Sequence, residues 1–360
     1  MSPGRIMDEC EARVSRRSLI RGVARALAFC VLAGPAAAEA EDMTLKAAAA
    51  LSGRYFGAAL DPDLFDEQPY VQLAREQFSA VTPENAMKWA VVEPKRGVFD
   101  WHAADKLVAF AKANDQKIRG HNLIWHEQLP DWLTSGTFTP TALRQLMIDH
   151  VTLETGRYRG AIYAWDVVNE PFADDGAWRP SIWFQAMGPD YVEIALHAAH
   201  AADPGAKLYI NDYNVESAGP KMRALHDLVA SLKRKAAPLD GVGFESHFVA
   251  GKAPDDMRGV MQKFADLGVD VAVTELDLRM KLPPDAKSLD AQAADYAKVI
   301  GACVNVKRCV GVSTWGVTDA HSWIPSFFSG YGAALPFDEK YKPKPAFFAA
   351  IEALTRGAPR

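Results

Sequence analysis

The sequence predicts an α/β fold, a single (β/α)8 TIM barrel that follows an N-terminal signal peptide. Over residues 45–357, short strand-like segments alternate with helical ones, which indicates a parallel sheet. Eight such units in roughly 300 residues match the size of this barrel. An open doubly wound sheet is the alternative, but no Gly-x-Gly-x-x-Gly turn follows the first strand.

Each predicted strand ends in polar residues. In chain order the strand-like segments are RYFGAAL (54–60), QFSAVTPEN (77–85), KIRGHNLIWH (117–126), AIYAWDVVNE (161–170), KLYINDYN (207–214), GVGFESHF (241–248), DVAVTELD (270–277) and CVGVSTWG (309–316). In the helical segments between them, such as DWHAADKLVAFAKAND, apolar residues recur every three or four positions. Because active sites of this fold lie at the C-terminal strand ends, the polar clusters predict one shared site.

Residues 1–38 are predicted to be a twin-arginine signal peptide that is cleaved near residues 38–40. Paired arginines, Arg16 and Arg17, precede an apolar run that extends from Ala26 to Ala38 and contains many small residues. A membrane-spanning helix is the alternative, but it needs about 20 apolar residues and this run is shorter. We therefore expect a periplasmic or secreted protein with no membrane attachment after cleavage.

The charge balance argues against polyanionic partners. The full chain carries a formal net charge of −5, and loss of residues 1–38 removes six basic and three acidic residues to leave −8. A negative protein has no electrostatic attraction for nucleic acid or an anionic membrane. The composition fits a neutral substrate.

Two cysteines remain after the predicted cleavage, Cys303 and Cys309 in the segment CVNVKRC. Export implies an oxidising compartment, which favours a disulfide between them. On the loop-entropy estimate the bond would stabilise the fold by about 2 kcal/mol. Two unpaired buried thiols are the alternative, and a metal site is less favoured because no other cysteine remains.

Two glutamates, Glu170 and Glu275, end the predicted fourth and seventh strands and should face each other across the barrel mouth. Such a pair suits glycoside hydrolysis, in which one carboxyl protonates the leaving oxygen and the other attacks the sugar or activates water. His247, oriented by Asp277, would keep Glu275 ionised as the nucleophile. Glu170, next to Asn169, would remain protonated as the acid. A strand-end glutamate taken alone is more often part of a salt bridge.

Aromatic residues form a second signal, because flat rings pack against the C–H faces of sugars. The tryptophans and the tyrosine in or just after the polar clusters are Trp89, Trp125, Trp315, Trp323 and Tyr213. A tryptophan taken alone is more often a core residue. Their grouping at the strand ends favours a sugar-binding cleft.

The histidines near the strand ends raise an alternative, a zinc site. They are His121, His126, His247 and His321. The sequence has no His-x-His on the first strand and no His-Glu-x-x-His helix, so we predict neither a metal nor any other cofactor.

The sequence resembles the glycoside hydrolase family 10 xylanases across residues 45–357. The motifs that carry the resemblance are PENAMKW, GHNLIWHEQLPDWL, WDVVNEPF, NDYN, GVGFESHF, TELDLR, WGVTDAHSWIP and ALPFDEKYKPKPAFFAAIEAL. It implies that Glu170 is the acid/base and Glu275 the nucleophile of a retaining double displacement. It further implies that His247 and Asp277 assist the nucleophile and that Asn169 holds the sugar 2-hydroxyl.

The resemblance also implies a set of sugar contacts. They are Glu84, Asn85 and Lys88 on the glycone side, His121 and Trp125 at the floor of the −1 subsite, Trp315 and Trp323 above it, and Asn211, Tyr213 and Asn214 toward the +1 side.

Two positions depart from the family pattern: Glu245 stands where the family usually has glutamine, and Asn122 where it usually has threonine. On a regular strand, Glu245 would point the same way as His247, into the site. We therefore predict that a third carboxylate raises the pKa of Glu170. The alternative is that Glu245 pairs with a cation such as Arg279 and changes nothing.

The sequence thus predicts a monomeric endo-β-1,4-xylanase that acts on xylan and xylooligosaccharides. Two other functions remain open: a different β-1,4-glycanase on the same barrel, and a non-catalytic glycan-binding barrel. The two facing glutamates argue against the binding protein, which has no use for such a pair.

Overall fold

The computed structural model describes residues 43–356, so the predicted signal peptide at residues 1–38 lies outside the described residues. The described chain forms a closed barrel of parallel strands surrounded by helices, which confirms the predicted fold class. No helix in this part of the chain is long and apolar enough to cross a membrane.

The β-strands alternate with helices along the chain. The strands are β1 (Tyr55–Leu60), β2 (Ala80–Pro83), β3 (Lys117–Ile124), β4 (Ala164–Asn169), β5 (Lys207–Asp212), β6 (Gly241–Phe244), β7 (His247–Val249), β8 (Asp270–Lys281), β9 (Cys309–Thr314) and β10 (Tyr331–Gly332). The barrel consists of β1 to β6, β8 and β9, with every neighbouring pair parallel, and the β8–β9 pair closes it. The short strands β7 and β10 flank β8 outside this circle.

The helices cover the outside of the barrel. They are Leu45–Leu51, Gln68–Gln77, Trp89–Val92, His102–Ala113, Asp131–Thr134, Pro140–Arg157, Ile182–Met187, Asp190–Ala202, Pro220–Arg234, Met257–Asp266, Ala286–Val304, Ile324–Phe327 and Pro345–Arg356, with 3-10 turns at Pro62–Leu64 and Asp319–His321.

Local sequence sets several helix starts. The hydroxyl of Thr139 accepts a hydrogen bond from the backbone N–H of Ala142, and Pro140 supplies the first helical position. Asp285 and Ser288 cap each other reciprocally at the start of helix Ala286–Val304. Such caps satisfy backbone N–H groups that have no partner within the helix.

Two of the predicted strands differ from the observed ones. The sixth ends at Phe244, because Ser246 has a left-handed backbone (φ 68°), and the chain resumes as β7 beside β8. The seventh does not end at Glu275 but continues to Lys281, where β10 pairs with it. Glu275 therefore lies within a paired strand, which holds its backbone more firmly than a strand end would.

Close packing inside the barrel depends on small residues. Gly120 on β3 faces the ring of Trp165 on β4, and a Cβ on the glycine would lie 2.2 Å from that ring. Trp165 is fully buried, as are most residues of the barrel strands. A side chain at residue 120 would therefore push β3 and β4 apart.

Cys303 and Cys309 form a disulfide that joins the end of helix Ala286–Val304 to the start of β9. This is the pairing favoured from the sequence. One aromatic prediction needs correction: Trp89 does not face the cleft but is 3% exposed in the core, stacked on His150 with ring centroids 3.7 Å apart.

Candidate active site

A cleft of about 650 Å³ lies at the C-terminal ends of the barrel strands. The predicted site residues that line it are Glu84, Asn85, Lys88, His121, Trp125, Asn169, Glu170, Tyr213, Asn214, Glu245, His247, Glu275, Trp315 and Trp323. Asp277 and Asn211 are fully buried behind this lining. A second groove, of about 690 Å³, is formed by the outer helices Pro140–Arg157 and Asp190–Ala202 instead of by strand ends.

Glu170 follows the last residue of β4 and has a left-handed backbone, with φ 51°. Its N–H donates to the carbonyl oxygen of Asn211 at 2.8 Å, and Arg179 Nε donates to the carbonyl oxygen of Glu170 at 3.1 Å. A non-glycine residue in this region costs on the order of 1 kcal/mol, which the surrounding hydrogen bonds must offset. This turn ends the strand and places Glu170 in the cleft beside Asn169.

The surroundings of Glu170 favour its protonated form. Burial and then the negative charge of Asp212 raise the pKa of Glu170 to about 7, although Arg179 acts in the opposite direction. Arg179 Nη2 lies 3.6 Å from Glu170 Oε2, and His126 Nδ1 lies 3.9 Å from the same atom. A carboxyl group that keeps its proton near neutral pH can act as a general acid.

Glu275 has the opposite preference. Its Oε1 accepts a hydrogen bond from Asn211 Nδ2 at 2.7 Å, and its Oε2 lies 3.3 Å from His247 Nε2. Burial acts to raise the pKa of Glu275, but the hydrogen bond from His247 and the nearby His121 outweigh it and leave that pKa below its usual value. Glu275 is therefore ionised in the range where Glu170 still holds a proton.

His247 is held as a cation between two acids. Its Nδ1 lies 2.8 Å from Asp277 Oδ2, which also accepts a hydrogen bond from Trp323 Nε1 at 2.8 Å. Burial acts to lower the pKa of His247, but Asp277 and Glu275 outweigh it and raise that pKa to about 10. Both ring nitrogens then carry protons, one donated to Asp277 and the other to Glu275.

Asn211, buried behind the cleft lining, links Asn169 to Glu275 through hydrogen bonds. Its Nδ2 also donates to Asn169 Oδ1 at 2.9 Å, and its Oδ1 accepts from Thr274 Oγ1 at 2.7 Å. Gly243 makes room for this amide, since a Cβ there would lie 2.1 Å from Asn211 Oδ1. The resemblance implied a sugar contact on the +1 side, but the buried side chain of Asn211 contacts Asn169 and Glu275 instead.

The other end of the cleft contains Glu84, Asn85 and Lys88. Lys88 Nζ donates to Asn85 Oδ1 at 3.0 Å and lies 4.9 Å from the centre of the Trp125 ring. Burial and the charge of Asp61 raise the pKa of Glu84 to about 7. This end combines one buried cation with an aromatic wall, as a site for sugar hydroxyls and C–H faces requires.

Tyr213, at the opposite end, is held by two cations. Its hydroxyl accepts a hydrogen bond from Arg179 Nη2 at 2.6 Å, and Lys221 Nζ lies 3.4 Å from the centre of its ring. Lys221 also pairs with the buried Asp212 at 2.8 Å. Asn214 Nδ2 donates to Asp174 Oδ1 at 3.2 Å.

The structure adds residues that the sequence did not single out. Arg179 lies in the loop after Glu170, where no strand or helix periodicity marks it. Phe327 and Phe328 form another part of the cleft wall, next to Arg279, which the sequence suggested only as a partner of Glu245. Phe327 is 70% exposed. Phe327 ends helix Ile324–Phe327 and Phe328 follows it, and nothing in the sequence distinguishes a cleft-wall role for this pair from a core role.

Three side chains come close enough to share one cation: within the described residues, ligand atoms of Glu245, His247 and Glu275 lie within 4.8 Å of one another. His247, however, is fixed by its hydrogen bonds to two carboxylates, so both nitrogens are already occupied by protons. The geometry favours a hydrogen-bonded network over metal coordination.

The site and barrel have clear relatives. The sequence profile of glycosyl hydrolase family 10 matches residues 44–353. Endo-1,4-beta-xylanase A of Phanerodontia chrysosporium is 46% identical over 295 residues, which cover 81% of this chain and 72% of that protein. The endo-1,4-beta-xylanase of Agaricus bisporus is 44% identical over 301 residues, which cover 83% and 90%.

Solved structures agree with the sequence comparison. A glycosylated endo-beta-1,4-xylanase from Gloeophyllum trabeum superposes with a TM-score of 0.83 at 45% identity and covers 87% of this chain and 99% of its own. Xylanase 10B from Thermotoga petrophila, in complex with xylobiose, gives a TM-score of 0.86 at 36% identity and covers 88% and 99%.

Proposed function

The chain belongs to glycosyl hydrolase family 10, and from this membership we propose that it is an endo-1,4-β-xylanase that cleaves xylan and xylooligosaccharides by double displacement with retention of configuration. One observation carries the mechanism: two glutamates in one cleft have opposite protonation preferences. The pKa of Glu170 is raised to about 7, whereas that of Glu275 lies below its usual value.

In the first step, Glu275 attacks the anomeric carbon and forms a glycosyl–enzyme ester. Glu170 gives its proton to the leaving glycosidic oxygen in the same step, so no alkoxide is released. His247 and Asn211 hold the two oxygens of Glu275, which fixes the direction of attack. Asn169, next to Glu170, is positioned for the 2-hydroxyl of the bound sugar.

In the second step, water replaces the aglycone. Glu170, now ionised, takes a proton from that water as it attacks the same carbon, and Glu275 leaves as a carboxylate. Ionised Glu170 lies 3.6 Å from Arg179, which stabilises the charge it carries between the two steps. Two inversions at one carbon return the original β-configuration.

The remaining proposals concern the substrate and the location of the protein. The aromatic walls that Trp125, Trp315 and Trp323 give the cleft suit a chain of neutral pyranose rings. We expect a monomer that is exported by the N-terminal signal sequence. The disulfide between Cys303 and Cys309 is consistent with an oxidising compartment.

Proton NMR of the first product tests the mechanism. With a short linear xylooligosaccharide as substrate, the β-anomer should appear first and mutarotate afterwards. Initial α-anomer would contradict retention, and with it the nucleophilic role of Glu275. A mixture of internal cleavage products from xylan tests endo action, whereas xylose alone would contradict it.

A further inference from the structure

The acid at residue 245 is the feature that the proposed mechanism leaves unexplained. Glu245 is 2% exposed, and its Oε1 lies 3.1 Å from Asn211 Nδ2. Its Oε2 lies 3.8 Å from His247 Nε2. Arg279 is not its partner, because that guanidinium lies 3.9 Å over the ring of Phe328. The pairing considered from the sequence is thus replaced by contacts within the active site.

The backbone fixes Glu245 in this place. Its N–H donates to the carbonyl oxygen of Asp212 at 3.1 Å, and its carbonyl accepts from the N–H of Glu275 at 3.1 Å. Ser246 then turns through a left-handed conformation, held by a 2.7 Å hydrogen bond from its N–H to Glu216 Oε1. Both Glu245 and His247 enter the cleft because of this turn and not because a regular strand continues.

The side-chain amide of Asn211 has fewer N–H hydrogens than there are acceptor oxygens around it. Asn211 Nδ2 lies 2.9 Å from Asn169 Oδ1, 3.1 Å from Glu245 Oε1 and 2.7 Å from Glu275 Oε1. An amide nitrogen has two hydrogens, and here it faces three acceptor oxygens. Turning the amide over would be worse, since its own oxygen would then face all three. The arrangement is satisfied when one of the carboxyl groups brings a hydrogen of its own.

Of the two carboxyl groups, Glu245 is the one that retains a proton. His247 lies 3.3 Å from Glu275 and is hydrogen-bonded to it, whereas the same ring nitrogen lies farther from Glu245, at 3.8 Å. The acids Glu170 and Asp212 act on Glu245 from β4 and β5.

We propose, on the basis of the proposed xylanase function, that Glu245 is a positioning residue: it keeps a proton in the working enzyme, and loss of that proton at alkaline pH displaces the nucleophile Glu275. The neutral carboxyl adds the third hydrogen to the group around Asn211. Once ionised, it competes with Glu275 for the Asn211 hydrogen and repels the nucleophile. The site then loses activity without any change at the acid/base Glu170.

The electrostatic surroundings agree with this geometry. Burial raises the pKa of Glu245 well above its usual value, and the charges of Glu275, Glu170 and Asp212 add to the effect, while Lys221 partly offsets it. A neutral Glu245 contributes no charge that could raise the pKa of Glu170. Our proposal therefore differs from the sequence-based prediction that Glu245, as a third carboxylate, raises the pKa of Glu170.

The test removes Glu170 from the pH profile. Glu170→Ala should still react with an aryl β-xylobioside whose leaving group needs no proton, so kcat/KM then reports groups other than the acid. On the alkaline side, this variant should lose activity by about tenfold per pH unit above a single break. The double variant Glu170→Ala/Glu245→Gln should show no such decline, because the amide cannot ionise.

Two further measurements secure the interpretation. Glu154→Gln, made in the Glu170→Ala background, removes a fully buried carboxyl of helix Pro140–Arg157, outside the cleft, and should leave the decline unchanged. Difference infrared spectra at pH 7 between Glu170→Ala and the double variant should show loss of a protonated carboxyl band.

Specific outcomes would overturn the proposal. They are the same decline in both variants, no decline in Glu170→Ala, or loss of an ionised carboxylate band instead of a protonated one. Each leaves the proposed function standing if wild type hydrolyses linear xylan. Failure of wild type to hydrolyse any xylan would reject the proposed function itself.

Discussion

At the scale of residues, the site depends on how differently two identical side chains are surrounded. Arg179 lies 3.6 Å and His126 lies 3.9 Å from Glu170 Oε2, and burial is the largest influence on the pKa of Glu170. Glu275 has a hydrogen-bonded imidazolium at 3.3 Å. In the proposed mechanism, this difference makes one carboxyl group the acid and the other the nucleophile.

Variants of the two glutamates should separate these roles. Glu275→Gln should abolish turnover even of aryl xylosides with good leaving groups, because no ester can form. Glu170→Ala should reduce xylan hydrolysis by at least about 10²-fold, the contribution typical of general acid catalysis. Added azide should restore its turnover of the activated substrate as a β-xylosyl azide. An α-xylosyl azide formed by Glu170→Ala, or a β-xylosyl azide formed by Glu275→Gln, would reverse the assignment.

Arg179 should set the position of the basic limb. Its charge lowers the pKa of Glu170, so Arg179→Met should raise that pKa and move the basic limb of kcat/KM to higher pH. The guanidinium is partly exposed, so we expect a shift of a few tenths to about one pH unit. The exposed Arg223→Met serves as the control. A limb that stays in place or moves to lower pH contradicts this electrostatic role.

At the scale of elements, the site depends on one interrupted strand and one extended strand. The break between β6 and β7 turns both Glu245 and His247 into the cleft, and the extension of β8 to Lys281 gives Asp277 a paired backbone opposite His247. The disulfide secures the next connection, between helix Ala286–Val304 and β9. The polar residues are therefore held by hydrogen-bonded backbone and not by loops alone.

Substitutions of Ser246 test this break. Glycine accepts a left-handed backbone readily, so Ser246→Gly should retain most of the stability and activity. Ser246→Val places a β-branched residue at φ 68° and should cost at least about 1–2 kcal/mol and reduce kcat. Chemical denaturation and xylan assays measure both effects, with the exposed Ser217→Val as control. Equal behaviour of the Gly and Val variants would show that the turn conformation is unimportant.

At the scale of the whole molecule, several buried carboxyl groups make stability depend on pH. Glu154 is fully buried, and neither of its side-chain oxygens has a hydrogen-bond partner in the described structure. His150 Nε2 lies 3.3 Å from Glu154 Oε2 but supplies no positive charge, because burial lowers the pKa of His150 to about 3. The same nitrogen lies 3.1 Å from the carbonyl oxygen of Leu123. Burial therefore raises the pKa of Glu154 well above its usual value.

Because the pKa of Glu154 is raised in the folded state, we expect the protein to lose stability as the pH rises. Below the unfolded-state pKa, Glu154 is protonated in both states and costs nothing. As pH rises toward the folded-state pKa, the unfolded chain ionises first and gains stability relative to the fold. Glu154→Gln should therefore raise the melting temperature by a few degrees more at pH 8 than at pH 5. The exposed Glu352→Gln serves as the control and should change the melting temperature equally at pH 5 and pH 8. If Glu154→Gln also changed it equally at both pH values, the prediction would be contradicted.

The sequence by itself determined the barrel and most residues of the cleft. Alternating strand and helix periods can be seen locally, and the parallel barrel brings all C-terminal strand ends to one face, so polar clusters such as those at Glu170 and Glu275 had to meet. Two cysteines close together in a chain with a predicted export signal likewise favour a disulfide. These conclusions follow from patterns within single segments together with one fold rule.

Only the tertiary structure decided which of these residues touch the cleft and in which protonation state. Trp89 and Asn211 occur in the same kinds of motif as the lining residues, yet both are buried, because their orientation depends on packing from distant segments. Arg179 enters from a loop without periodicity. From the sequence, Glu245 was predicted to lie in the site as a negatively charged group. Its protonation state depends on the hydrogen-bond partners that surround Asn211 Nδ2, and these come from different strands. Protonation states and hydrogen-bond partners depend on distances between residues that are far apart in the sequence, and the order of residues alone does not specify those distances.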